Sequence, residues 1–295
     1  MRCAPSMVRH AVGAPDEGRC LVMGIVNVTP DSFSDCGRWL DPGAAVRHGL
    51  AMLEQGADIL DVGGESTRPG ARRPSAAEEC RRVLPVVEGL ARAGAFVSVD
   101  TMRSSVAAAA LERGALMVND VSGGLADPEM LGVVARADVP YVLMHWRAHA
   151  DVMAHHSCYR DVVEDVLDEL TLRVAAAVDA GVRPDRLVLD PGLGFAKEAP
   201  DSWRLLAHLE RVSSLGFPVL VGASRKRFLA ETAVPHHPDA DPDASERDLA
   251  TAAVSAFAAT AGAWCVRVHD PRGSAHAVRV AALLAAAHEG SPAPC

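Results

Sequence analysis

The 295 residues are 49% hydrophobic and 23% charged, ample for a sizeable core and compatible with one large domain or two small ones. A formal net charge of −9 argues against a general nucleic-acid partner, which carries a basic excess or stripe. The seven cysteines (Cys3, Cys20, Cys36, Cys80, Cys158, Cys265 and Cys295) are scattered and never spaced as CxxC. That disfavours a disulfide framework or a structural zinc site and points to a reducing cytoplasm.

Residues 1–20 contain Arg2, Arg9 and Arg19 without an apolar run of signal-peptide length, and read as a loose N-terminal tail. Residues 291–295 read as a short C-terminal tail, leaving 21–290 as the domain. Arg, Glu, Asp or His interrupts every Ala-rich run, so no membrane partner is expected.

From Leu21 the chain alternates short apolar runs with longer helical patterns. The first run, "LVMGIV" (21–26), ends at Asn27 and enters the turn-rich "NVTPDSFSDCG", where Phe33 is the one large apolar side chain. Val46, Leu50 and Leu53 predict a helix over 42–56, closed by Gly56. A second run (58–62) passes into "DVGGESTRPGARRPS" (61–75), too long and glycine-rich for a minimal turn. This reads either as a surface loop or as an anion-binding loop, with Thr67 a hydroxyl donor and Arg68 a forked cation for phosphate.

Next come a helix over 76–92, a run over 96–100 ending at Asp100, a helix over 103–113 and a run over 116–120 containing Asn119. Asp127 before Pro128 predicts the cap of a helix over 127–136. The run 141–145 leads into "HWRAHADVMAHH", whose His145 and His149 have i, i+4 spacing. Zinc needs three or four ligands in defined geometry, so metal ligation is not favoured there. A helix over 159–180 precedes the run 186–190 and "DPGLGF", with Asp190 at the strand end.

After a helix over 201–215 and a run over 218–222, "GASRKRFL" reads as a helix start capped by Ser224, with Arg225, Lys226 and Arg227 in its first turn. Cations there oppose the helix dipole, which suggests an anionic ligand. The segment 234–247 reads as a surface loop before a helix over 246–261. In the last run, 264–268, and just beyond it, Arg267 and His269 share one side, suiting a phosphate contact; a helix over 272–288 follows.

Eight such β-then-α units predict an α/β fold, a single-domain (β/α)8 TIM barrel, with an open doubly wound sheet as the weaker alternative. Polar clusters follow the C-terminal ends of the strands and would converge on one rim, where barrel active sites are built. Asp100, Asn119 and Asp190 at strand ends could each cap a helix; together they suit a flat heterocycle with an amidine-like edge. No nucleophile–base pair is evident.

"MGIVNVTPDSFSD", "DVGGESTRPG", "SVDT", "VNDVSGG", "VLDPGLGFAK", "GASRK" and "VRVHD", in this order, resemble the dihydropteroate synthase family over about residues 21–290. The resemblance implies a TIM-type barrel joining 4-aminobenzoate to 7,8-dihydropterin-6-ylmethyl diphosphate, with release of pyrophosphate. It implies that Asp100, Asn119, Met144, Asp190 and Lys226 hold the pterin. Arg68, Arg267 and His269 would hold the diphosphate, with Asn27 holding its Mg²⁺. Arg68, Lys226, Arg267 and His269 would carry the chemistry.

Phe33, Thr67, Pro69, Phe195 and Ser224 would frame the aminobenzoate, with Phe33 on a mobile lid. Sulfonamides would compete as aminobenzoate mimics, and a homodimer through the last helices is implied. Cys36 departs from the family pattern, which has glycine there. Two other readings stand beside this one: a pterin-binding copy without activity, and a folate- or corrinoid-dependent methyltransferase barrel, which has no need of "ESTRPG", "SRK" and "RVHD" together.

Overall fold

Strands buried on both faces are expected to be apolar throughout, and this is how the eight runs behave. The computed structural model describes residues 18–29, 41–65, 73–149, 152–232 and 244–288. The strands are β1 (Leu21–Asn27), β2 (Ile59–Gly63), β3 (Val97–Asp100), β4 (Met117–Asp120), β5 (Tyr141–Met144), β6 (Leu187–Asp190), β7 (Leu220–Val221) and β8 (Cys265–Val268). All pair in parallel, in the order β6-β5-β4-β3-β2-β1-β8-β7. A bridge between Leu189 and Val219 joins the two outer strands, so the sheet closes into a barrel.

The helices among the described residues are α1 (Pro42–Glu54), α2 (Ala76–Arg92), α3 (Ser104–Glu112), α4 (Met130–Ala137), α5 (Val162–Asp179), α6 (Ala199–Ala207), α7 (Leu209–Ser213), α8 (Ala244–Thr260) and α9 (Pro271–His288). Their starts carry local signals. Asp41 accepts from Ala44 N with Pro42 in the first turn of α1, and Ser75 accepts from Glu78 N ahead of α2. No helix among the described residues is long and apolar enough to cross a membrane.

Side chains alternate across each strand, and the core divides accordingly. Val22, Leu60, Val62, Val97, Val99, Val118, Tyr141, Leu143, Leu187, Leu189, Val266 and Val268 pack in the large cluster that includes the helices. Leu21, Met23, Ile59, Met117, Val142, Val188, Leu220 and Cys265 form a second cluster, the barrel's filling. Two residues further along several strands, the same inward parity brings Asp61, Asn119, Asp190 and Arg267.

Three local readings change. The helix read over 127–136 starts at Met130; Asp127 lies ahead of it, with Oδ1 accepting from Glu129 N at 3.0 Å and Oδ2 from Ser104 N at 2.8 Å at the start of α3. The pattern over 201–215 breaks at His208 into α6 and α7. Arg19 and Cys20, read as tail, are buried at 8% and 5% exposure. Arg19 pairs in a fork with Asp58, Nη1 to Oδ2 at 2.9 Å and Nη2 to Oδ1 at 2.7 Å, while Val22 N donates to the same Oδ2 at 2.8 Å. The pair staples the entry of β1 to the entry of β2. Replacing only one partner strands a largely buried charge, so Arg19→Met is expected to lower unfolding free energy by about 3 kcal/mol in urea melts. A loss below ~0.5 kcal/mol, within the range of ordinary surface substitutions, would return Arg19 to the tail.

Candidate active site

The inward parity that fills the barrel with apolar side chains turns polar toward the strands' C-terminal ends. Arg267 on β8 stands between two carboxylates: Nε donates to Asp61 Oδ2 and Nη2 to Asp100 Oδ2, both at 2.6 Å. Asn119 Nδ2 donates to the same Asp61 Oδ2 at 2.8 Å, which leaves its carbonyl oxygen as an acceptor. Asp61 Oδ1 is buried with no hydrogen-bond partner among the described residues. Burial pushes the Asp100 carboxyl up to about 7, against the pull of the Arg267 cation.

Across the barrel, burial also raises Asp190, opposed by the charge of Lys226, and lowers Lys226 to about 8, opposed by Asp190. Gly222 lies beside both groups: a Cβ there would make ordinary contact with Asp190 Oδ2 at 3.6 Å and Lys226 Nζ at 4.0 Å. Lys226 Nζ also donates to Leu193 O and sits 4.6 Å above the Phe195 ring. Phe195 leans on the small cluster of Met102, Val121 and Met144, with Trp146 beside it. One wall of the site is therefore apolar while its floor is charged.

Ser224 does not start a helix. Arg227–Thr232 is a short 3-10 segment, and Ser224 is committed to His269, whose backbone N donates to Ser224 Oγ at 3.0 Å. The same hydroxyl lies 3.0 Å from His269 Nδ1 and holds that side of the ring, which turns Nε2 away from Ser224. Arg225 turns away, in a left-handed conformation (φ 56°), to a forked pair with Asp248 at 2.7 and 2.8 Å. Of the three cations read as one patch, Lys226 is the one that enters this floor.

Asn27, at the end of β1 opposite Gly63, is half-buried. Phe33, Cys36, Thr67, Arg68 and Pro69 lie outside the described residues. The flanks of the 66–72 segment are tied down: Arg103 donates to Glu65 Oε2 at 2.7 Å and to Pro74 O at 2.8 Å, and Arg73 to Glu65 Oε1 at 2.6 Å. His145 turns to Glu169 and Lys197. Asp120, next to Asn119, faces outward and accepts from Ser122 N, Ser122 Oγ, Gly124 N and the Tyr141 hydroxyl.

A family model of pterin binding enzymes matches residues 23–269. The chain belongs to that family. It is 53% identical over 266 residues to dihydropteroate synthase of Mycobacterium leprae (strain TN), covering 88% of this chain and 91% of the relative. A Xanthomonas albilineans dihydropteroate synthase solved with 4-aminobenzoic acid is 44% identical with a TM-score of 0.81, over 93% of this chain and 94% of that one. A Yersinia pestis dihydropteroate synthase in a sulfonamide drug complex is 36% identical with a TM-score of 0.86, over 94% and 97%.

Asp61 escaped the sequence reading although its signal was present. It lies two residues beyond Ile59, on the parity that points into the barrel. Lys197 and Glu169 left no comparable trace, because a lone Lys or Glu in a helical or loop pattern reads as solvated surface. The raised Asp100 carboxyl has a definite sign in folding. The unfolded chain ionises near 3.9 and the folded chain near 7, so stability contributed by the protonated form is lost as pH rises through that window. Asp100→Asn should therefore gain on the wild type in urea melts as pH rises from about 4 to about 7, then hold a constant advantage. An advantage that shrinks over that window contradicts the burial argument.

Proposed function

We propose that the chain acts as a dihydropteroate synthase, a transferase that joins 4-aminobenzoate to 7,8-dihydropterin-6-ylmethyl diphosphate and releases pyrophosphate. The observation that carries this reading is the polar layer of Asp61, Asp100, Asn119, Asp190, Lys226 and Arg267, in a chain of this family. A 2-amino-4-oxo pterin ring offers N–H donors on an amidine-like edge and a carbonyl acceptor. Asp100 and Asp190 accept from such an edge, Asn119 contributes its carbonyl oxygen, and Lys226 donates to a ring oxygen or nitrogen. Met144 lies in the apolar cluster at the wall and supplies packing for a flat ring.

Arg267 has Nη1 without a partner among the described residues, and His269 is held through Nδ1 by Ser224; with a proton on Nε2 the ring joins Arg267 as a donor suited to the diphosphate. Arg68, Thr67, Pro69 and Phe33 enter on the family pattern alone, the last three with Phe195 around the aminobenzoate. Ser224, whose hydroxyl is spent on His269, contributes by orienting that ring.

The Asn27 amide makes no side-chain hydrogen bond among the described residues. One neutral oxygen fits Mg²⁺, which keeps several waters and takes its other ligands from substrate phosphates. When bound, the ion supplies neutralisation of charge on the leaving diphosphate.

The C–O bond breaks first and its electron pair leaves with the diphosphate, where Arg267 and His269 stabilise the growing negative charge. The pterin-methyl cation left behind is favoured by the Asp100 and Asp190 carboxylates. The aryl amine attacks with its lone pair and gives its proton to solvent; positioning replaces a strong base.

Two measurements test the reading. Pyrophosphate release should require both 4-aminobenzoate and the pterin diphosphate, sulfonamides should compete with the former, and pterin binding without release would leave only the inactive-copy alternative. Arg267→Gln should cost at least about 100-fold in kcat/KM by losing a charged donor to the leaving group. Because Arg267 also holds Asp61 and Asp100, pterin affinity should fall with it; an unchanged pterin Kd would separate Arg267 from the pterin floor.

A homodimer is part of the same proposal. Leu249 and Phe257 on α8 and Val280, Leu283 and Leu284 on α9 are exposed, at 75%, 47%, 53%, 49% and 59%. Several large apolar side chains exposed on two helices are material for an interaction surface. Sedimentation should give a dimer that Leu283→Glu with Leu284→Glu converts to a monomer.

A further inference from the structure

The turn after β6 adopts a costly backbone. Gly192 and Gly194 sit at φ 67° and 71°, and Ala196 at φ 48° without glycine's freedom. A Cβ on Gly192 would come within 2.3 Å of His145 O, so the turn presses against the end of β5. Phe195 projects from this turn, and something must hold it there.

Lys197 holds it from beneath. The side chain is 8% exposed, where a lysine ordinarily extends its charge to water. Its Nζ donates to Gly192 O at 3.0 Å and Phe195 O at 3.1 Å, and faces His145 Nδ1 at 2.9 Å. His145 Nε2 lies 2.8 Å from Glu169 Oε2, and Arg147 grips the same carboxylate. A carboxylate accepts only, so the His145 proton is on Nε2 and Nδ1 offers its lone pair to the ammonium. All three ammonium hydrogens are used, and none goes to a carboxylate. Backbone ties close the unit: His145 N donates to Asp190 O at 2.9 Å and Phe195 N to Gly192 O at 3.1 Å.

We propose that Lys197 is a positioning residue for the aminobenzoate step. Its ammonium, anchored on His145 Nδ1 by the Glu169–His145 relay and donating to two carbonyls of the turn, fixes the Gly192–Ala196 turn and sets the Phe195 ring as the wall that receives the flat aryl acid. This rests on the proposed placement of aminobenzoate against Phe195.

The network predicts its own pH dependence. Lys197 is faced by His145 just after β5, Glu169 on α5, Arg147 and Tyr159 on the intervening segment, Asp190 on β6 and Lys226 after β7. Burial, aided by the nearby Lys226 cation, lowers it to about 7. Burial holds His145 near 4, and its contacts with His145 and Arg147 hold Glu169 near 2, so neither titrates between pH 6 and 9. A neutral amine has two hydrogens for three acceptors, so the grip on the turn loosens as pH rises through about 7.

The test is steady-state kinetics with the pterin diphosphate saturating, alongside titration of the pterin alone. Lys197→Met should raise KM for 4-aminobenzoate about tenfold or more, change kcat less, leave pterin Kd within about twofold, and remove the part of the KM rise centred near pH 7, leaving any part centred near 8, where Lys226 titrates. Phe195→Ala should raise the same KM, and the double variant should show less than the product of the two effects. If Phe195→Ala leaves KM unchanged, the placement of aminobenzoate fails, whatever Lys197→Met does. If Phe195→Ala raises KM and Lys197→Met does not, the positioning role is overturned.

Should Lys197→Met fail to fold, His145→Asn and His145→Leu provide the comparison. Asn keeps an acceptor near the Nδ1 position and should raise KM less than Leu; equal values for the two would overturn the relay.

Discussion

A single guanidinium between two buried carboxylates sets the constraints for the rest of the site. Arg267 reaches from β8 to Asp61 on β2 and Asp100 on β3, so three strands must arrive in register for it to be satisfied. Breaking one arm leaves an uncompensated, largely buried charge, which is far more costly than losing a surface pair. The arrangement therefore specifies strand register at the chemical end of the barrel, while the apolar filling of Leu21, Met23, Ile59, Met117 and their neighbours supplies the bulk of the burial energy below it. A one-residue slip in β2 would turn Asp61 toward the helices and bring Leu60 inward.

The barrel was legible because its elements obey two simple periods. Eight apolar runs with helical patterns between them define the units, and strand boundaries fell within a residue or two of expectation. The errors were local. Asp127 and Ser224 each carry a side chain whose use was decided by a partner far away in sequence. Asp127 is shared with α3 because Ser104 N comes within reach, and Ser224 serves His269 because β7 and β8 are neighbours.

The candidate site's residues were legible one by one but their contacts were not. Strand-end position marks Asp100, Asn119, Asp190, Arg267 and His269 as candidates for chemistry. Nothing local says that Arg267 spends two donors on carboxylates across the barrel, because the pairs are separated by 206 and 167 positions. Likewise Arg225, Lys226 and Arg227 look alike in sequence. The left-handed turn at Arg225 sends its charge to Asp248, and the next residue alone points at Asp190. A basic cluster read as one electrostatic patch is thus divided by one backbone dihedral.

The charge balance of the floor bears on the proposed mechanism. Three carboxylates, Asp61, Asp100 and Asp190, face two cations, Arg267 and Lys226. Burial leaves Asp100 protonating near 7, so near neutrality the layer gains or loses one negative charge as that proton leaves or returns. A floor poised in this way would offer an extra negative charge close by when positive charge develops on a bound ring. Fixed groups that already point at the place where charge will appear need no reorganisation when it does. The same desolvation that makes the Asp100 carboxylate costly to the fold is what would make it effective against a cation, so the destabilised group and the useful group are one residue.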